Sequence, residues 1–104
     1  MTSAPAAPQE TGRPGPMVSV VLPMRNEARG LDRLFARLVP ALGLLGMPYE
    51  IVTVDDGSTD DTLARLKAFR AEITELKIVS LSRNFGKEIA VTAGLARTTG
   101  DVVV

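Results

Sequence analysis

The stretch YEIVTVDDGSTDDT, residues 49–62, puts two carboxylates, Asp55 and Asp56, at the end of an apolar run, and two more, Asp60 and Asp61, just beyond a turn. Four acids so close together could hold a cation or could have separate jobs. Adjacent side chains of a strand point to opposite faces, so Asp55 and Asp56 cannot clamp one metal unless the strand has already turned. One of them can then face a crevice beyond the strand, while the other meets the packed side or the backbone. Asp56-Gly57-Ser58 also has the composition of a simple turn, which leaves Asp55 idle. Asp60 and Asp61 fall in the first turn of a helix opening after Ser58. Carboxylates there meet unpaired N–H groups and the positive end of the helix dipole, worth about 0.3–1 kcal/mol each. Ser58 and Asp61 also have the spacing of a capping box.

Two other polar stretches end apolar runs, PMRNE at 23–27 and SRNFGK at 82–87. Asn26 and Glu27 suit either a helix cap or a ligand contact. Lys87 stands where a helix should begin, and a cation there opposes the dipole unless an anion lies nearby. No G-x-G-x-x-G follows the first apolar run, and FGK is followed by Glu88 rather than Ser or Thr. Neither a dinucleotide fingerprint nor a P-loop is present. A nucleotide would have to be held through its base and ribose by carboxylates and backbone groups.

The composition narrows the chemistry further. The chain has no His and no Cys, which removes imidazole and thiol nucleophiles and nitrogen- or sulfur-ligated zinc. Any cation would be a hard one held by oxygen. The absence of disulfides fits a reducing compartment. The 12 Lys and Arg balance the 12 Asp and Glu, which argues against an electrostatic grip on nucleic acid. The 104 residues make at most one domain, and 45% hydrophobic content supports a core. Residues 1–16 hold four of the seven prolines and almost no large apolar side chain, the composition of a disordered tail. No apolar run is long enough to span a bilayer.

The elements that must position these polar stretches follow a regular beat. MVSVVLP (17–23) and YEIVTV (49–54) are short β-branched runs typical of strands buried on both faces, LKIVSLS (76–82) is a third strand, and GDVVV (100–104) begins a fourth. Leu31, Leu34, Phe35, Leu38, Leu42 and Leu45 form one helix face, which Pro40 should kink or split. Leu63, Leu66, Phe69 and Ile73 form a second face, in a helix capped by Ser58 or Thr59. Residues 87–98 form a third helix. The order β-α-β-α-β-α-β predicts an α/β fold with a Rossmann-like parallel sheet, apparently truncated in its fourth strand, as in the first half of a larger domain. In such sheets ligands bind beyond the carboxyl ends of the strands, and all three polar stretches fall there.

Together, VSVVLPMRNE, YEIVTVDDGSTDDT and SLSRNFGKEIAVTAGLARTTGDVVV resemble the family 2 glycosyltransferases. They are most similar to the polyprenyl-phosphate branch, which includes dolichol-phosphate mannose synthases and bacterial undecaprenyl-phosphate glycosyltransferases. The resemblance covers residues 17–104. It implies a GT-A fold and an inverting transfer from a UDP- or GDP-linked sugar donor to a polyprenyl phosphate. The full-length enzyme would use Mg²⁺ or Mn²⁺ and work at the cytoplasmic face of a membrane, in glycan or cell-wall synthesis. It implies donor contacts by Pro23, Arg25 and Glu27 on the first loop and by Val54 and Asp56 on the second, with Asp56 bonding the base. Asp55 and Lys87 are further candidates. Arg25 stands where relatives commonly carry Tyr, and a guanidinium can stack or pair with phosphate. The family's Asp-x-Asp metal motif, its acceptor-side base and its membrane-anchoring helices would follow the fourth strand. No catalytic or metal-binding residue is therefore expected within these 104 residues, and the chain alone should be inactive. The alternative is a non-catalytic nucleotide-binding module or a remnant of such an enzyme.

Overall fold

A computed structural model describes residues 17–104; the stretch read as a disordered tail, 1–16, lies outside the described residues. The chain runs β1 (Val18–Met24), a 3₁₀ turn (Ala28–Gly30), α1 (Leu31–Gly43), β2 (Tyr49–Asp56), α2 (Thr62–Glu72), β3 (Leu76–Leu81), α3 (Lys87–Leu95) and β4 (Val102–Val103). The four strands form one parallel sheet in the order β3-β2-β1-β4. The α/β architecture expected from the alternating pattern is the one observed.

The inner strands β1 and β2 are largely buried by their place in this sheet, whereas most of the edge strand β3 and all of β4 stay partly or fully exposed. β2 lies between β1 and β3, and every residue from Glu50 to Asp56 is buried. Val20 and Ile51 are register partners and share one buried cluster with Leu31 and Phe35 of α1 and Leu66 of α2. Phe35 and Phe69 bring the two helices together, with ring centroids 4.7 Å apart. Val21 and Val54 face α3, where Gly94 lies so close that a Cβ would come within 2.6 Å of Val21 Cγ1 and 2.9 Å of Val54 Cγ2. Alternation along β2 therefore sends odd positions toward α1 and α2 and even positions toward α3.

Three boundaries differ from expectation. Pro40 neither splits nor ends α1, which runs on to Gly43. The carbonyl it leaves without an i+4 partner belongs to Ala36, and both residues lie on the exposed side, where water can take the bond. α2 begins at Thr62 rather than near Ser58, so Asp60 and Asp61 precede the helix. α3 ends at Leu95 instead of Thr98.

One buried charge sits at the amino ends of the strands. Glu50 is 3% exposed. Its Oε2 accepts from Ser19 Oγ and from the Thr99 N–H, each at 2.6 Å, and Lys77 Nζ lies 2.6 Å from Oε1. Burial raises the carboxyl pKa, but the hydrogen bonds from Lys77, Ser19 and the Thr99 backbone outweigh it and bring the value down to about 2. Ser19 Oγ also accepts the Gly100 N–H. This network ties the α3–β4 connection to β1 and β2, as a buried carboxylate requires.

Candidate functional site

The register of β1, β2 and β3 places their carboxyl ends side by side: Pro23 opposite Val54, Met24 opposite Asp55, and Asp56 opposite Leu81. The loops that follow meet around an open cavity of about 400 Å³ lined by Pro23, Met24, Arg25, Glu27, Asp56, Asn84, Gly86 and Lys87. Five of the seven residues singled out from sequence are brought together here: Pro23, Arg25, Glu27, Asp56 and Lys87. Val54 is not among the lining residues; it is fully buried beneath α3. Asp55 faces the other side of β2, as alternation requires. It lines a separate open groove and accepts the Ser58 N–H at 3.2 Å.

Asp56 ends β2 on the α3 side and is 5% exposed. Its Oδ1 accepts the Phe85 N–H at 2.8 Å and its Oδ2 the Gly86 N–H at 3.0 Å. The β3–α3 loop is thereby hung from this carboxylate. Gly57 makes the approach possible: its φ is +69°, and a Cβ there would collide with the backbone of Arg83 and Asn84. Within the loop the Arg83 guanidinium lies over the Phe85 ring, 4.9 Å from its centroid, a cation–π contact. Gly86, at φ +102°, then turns the chain into α3, whose first residue is Lys87.

Asp60 is equally committed. Asp60 Oδ1 accepts both the N–H and the hydroxyl of Thr62, and its Oδ2 accepts the Ala28 N–H at 3.4 Å. The Thr62 hydroxyl holds the Asp60 carboxyl below its usual range, against the raising effect of desolvation, with the Thr62 and Ala28 N–H groups adding to it. Ser58 does not cap α2; its Oγ accepts the Asn26 N–H at 2.9 Å. Asp55, Asp56 and Asp60 thus act on separate backbone groups, while the Asp61 side chain makes no bond with the helix start. Among the described residues, no group of three or more carboxylates converges on a point where a cation could sit. The described residues do not make a metal site.

Met24, Asn84 and Gly86 were not singled out from the sequence yet line the cavity, whereas Asn26, read as either a helix cap or a ligand contact, does not line it. Gly86 had a signal, because a glycine just before a helix often marks a backbone turn with positive φ. Asn84 and Met24 had none.

A parallel α/β sheet with a polar crevice at its strand ends, fed by three loops, defines a ligand-binding α/β domain. The chain belongs to glycosyl transferase family 2, whose family model matches residues 19–104. It is 48% identical over 87 residues to an uncharacterized glycosyltransferase of Synechocystis sp., covering 84% of this chain and 27% of that protein. It is 42% identical over 88 residues to the undecaprenyl-phosphate 4-deoxy-4-formamido-L-arabinose transferase of Klebsiella pneumoniae, again covering 84% of this chain and 27% of the relative. Among solved structures, a mannosyltransferase from Pyrobaculum calidifontis in complex with GDP-Man and Mn²⁺ superposes with a TM-score of 0.64 at 29% identity, covering 93% of this chain and 28% of that one. The chain therefore spans about a quarter of the length of these relatives.

Proposed function

We propose that this chain is the donor-binding part of a glycosyltransferase that moves a sugar, with inversion, from a UDP- or GDP-linked donor to a polyprenyl phosphate. The observation that carries the reading is the meeting of Pro23, Arg25, Glu27, Asp56 and Lys87 around one cavity at the carboxyl end of the sheet. The chemistry there is mixed in the way a nucleoside diphosphate requires. Asp56 and Glu27 offer acceptors for the N–H edge of a base and for ribose hydroxyls. Arg25 and Lys87 offer positive charge for the diphosphate. Pro23 and Met24 give an apolar wall, and Val54 backs the site from below.

Asp56 can serve two partners. A carboxylate has about four lone-pair sites, and the Phe85 and Gly86 amides take one on each oxygen. An acceptor anchored in this way is preorganised for a base N–H. The bound GDP-Man and Mn²⁺ of the archaeal neighbour and the lipid-phosphate acceptor in the name of the Klebsiella relative support the donor, metal and acceptor classes. A divalent cation, if used by the full-length enzyme, takes its ligands from outside the described residues. No helix among the described residues is long and apolar enough to cross a membrane; work at a cytoplasmic membrane face belongs to the full-length protein.

The test is calorimetric titration of the full-length protein with UDP and GDP, each with Mg²⁺ or Mn²⁺. Binding of one of them, weakened by Asp56→Asn, is the expected result. Binding of neither would end this reading.

A further inference from the structure

The first loop carries two lining residues, Arg25 and Glu27, yet it has little structure of its own; the Gly30 N–H bond to Glu27 O at 2.9 Å closes only the short 3₁₀ turn. Between them stands Asn26, which does not line the cavity. Its φ is +55°, the only positive value at a non-glycine residue among those described. Asn and Asp are the side chains that visit this left-handed region most readily. The turned backbone points Asn26 at the second loop. Its Oδ1 accepts the Thr59 N–H at 2.8 Å, the Asp60 N–H at 3.3 Å and the Thr59 hydroxyl at 3.3 Å, while its own N–H donates to Ser58 Oγ. The next two amides continue the seam: the Glu27 N–H donates to Thr62 Oγ1 at 2.9 Å and the Ala28 N–H to Asp60 Oδ2.

From this geometry we infer that Asn26 is the positioning residue of the site, clasping the β1 loop to the β2–α2 loop so that Arg25 and Glu27 are held toward a bound nucleotide. The inference rests on the donor-site reading above. Three demands meet at this one position: tolerance of positive φ, an acceptor oxygen on a short side chain, and a free backbone N–H. Aspartate satisfies all three, glycine lacks the acceptor, and alanine lacks both the acceptor and the backbone tolerance.

The test compares the full-length wild-type protein with Asn26→Asp, Asn26→Gly and Asn26→Ala. It measures UDP and GDP binding by calorimetry and amide hydrogen exchange at Thr59 and Asp60. Asn26→Asp should bind within about threefold of wild type, and Asn26→Gly about tenfold more weakly, equivalent to about 1.4 kcal/mol. Exchange at Thr59 and Asp60 should quicken in the glycine variant and stay slow in the aspartate variant. Should Asn26→Ala fail to fold, Asn26→Gly, which accepts the same backbone, decides the matter. Wild-type affinity in Asn26→Gly, or equal losses in Asn26→Gly and Asn26→Asp, overturns the role while leaving the donor reading intact. A wild-type protein that binds neither nucleotide overturns the donor reading and the role together.

Discussion

Asp56 holds Gly86 across the mouth of the cavity: the carboxylate at the end of β2 accepts the N–H of the residue that turns the chain into α3, at 3.0 Å, and that of Phe85 beside it. A residue expected to meet a ligand is therefore also the anchor of a neighbouring loop. Removing its charge should disturb both. An asparagine keeps one acceptor oxygen and turns an NH₂ toward an amide that has no other acceptor. Asp56→Asn should weaken nucleotide binding by about ten- to a hundredfold, the worth of one charge-assisted hydrogen bond at roughly 1.5–3 kcal/mol. Asp60 lies outside that cavity, so Asp60→Asn should change affinity far less. Calorimetry giving equal losses for the two variants would contradict the division of the acids.

Two glycines share a backbone conformation but not a setting, which separates strain from crowding. Gly57 and Gly46 have φ of +69° and +68°, yet a Cβ on Gly57 meets the backbone of Arg83 and Asn84, whereas one on Gly46 meets nothing within 4 Å. Gly46→Ala should cost about 1–2 kcal/mol, the left-handed penalty alone. Gly57→Ala should cost more and should also weaken nucleotide binding, because the β3–α3 loop must move away from β2. Urea unfolding of the two variants checks the first statement and titration with UDP or GDP the second. Equal stability losses with unchanged binding would show that the close approach of these loops is dispensable.

The parts of this fold legible in sequence were those governed by local periodicity. VSVVLP and EIVTV are buried runs whether or not their neighbours are known, and Leu31, Phe35 and Leu42 lie on one helix face by spacing alone. The convergence of three loops followed from topology, since parallel strands must present their carboxyl ends together. What escaped were contacts between residues distant in sequence. STDD reads as a helix start in sequence, but nothing there shows that its Thr59 and Asp60 amides bond Asn26, more than thirty residues earlier. Glu50 in YEIVTV is one acid in an apolar strand, and its partners Ser19, Lys77 and Thr99 come from three other segments. A charge inside a run expected to be buried on both faces was a signal, because such a group must be paired.

That buried carboxylate gives the protein a defined acid response. Glu50 titrates at about 2 in the folded chain against an ordinary value of 4.5. A depressed folded pKa means that the unfolded chain binds the proton first. The stability contributed by Glu50 is thus full above about pH 4.5 and is lost as pH falls from there toward 2. The loss should be on the order of a few kcal/mol, since every tenfold difference in proton affinity between the folded and unfolded chain corresponds to about 1.4 kcal/mol. Glu50→Gln should be destabilised near neutral pH, leaving Lys77 without its counter-charge, and should show a flatter profile between pH 4.5 and 2. Denaturation midpoints across this range measure it. An unchanged slope in the variant would assign the acid sensitivity to other carboxylates.

Lys87 offers a prediction in which stability and binding move in opposite directions. It is the first residue of α3, and no ion pair neutralises it among the described residues. A cation in that place opposes the helix dipole, so Lys87→Gln should stabilise the folded protein by about 0.3–1 kcal/mol. If the charge is there for the diphosphate of a donor, the same change should weaken UDP or GDP binding about fivefold or more, as expected for one charge-assisted contact. Affinity for the nucleoside alone, uridine or guanosine, should stay unchanged, because in the proposed donor site the base and ribose would meet Asp56 and Glu27 rather than Lys87. Thermal unfolding and titration with each nucleoside–nucleotide pair read the two effects separately. A variant that gains stability and loses no diphosphate affinity would make Lys87 a solvated surface lysine and move the phosphate contact to Arg25.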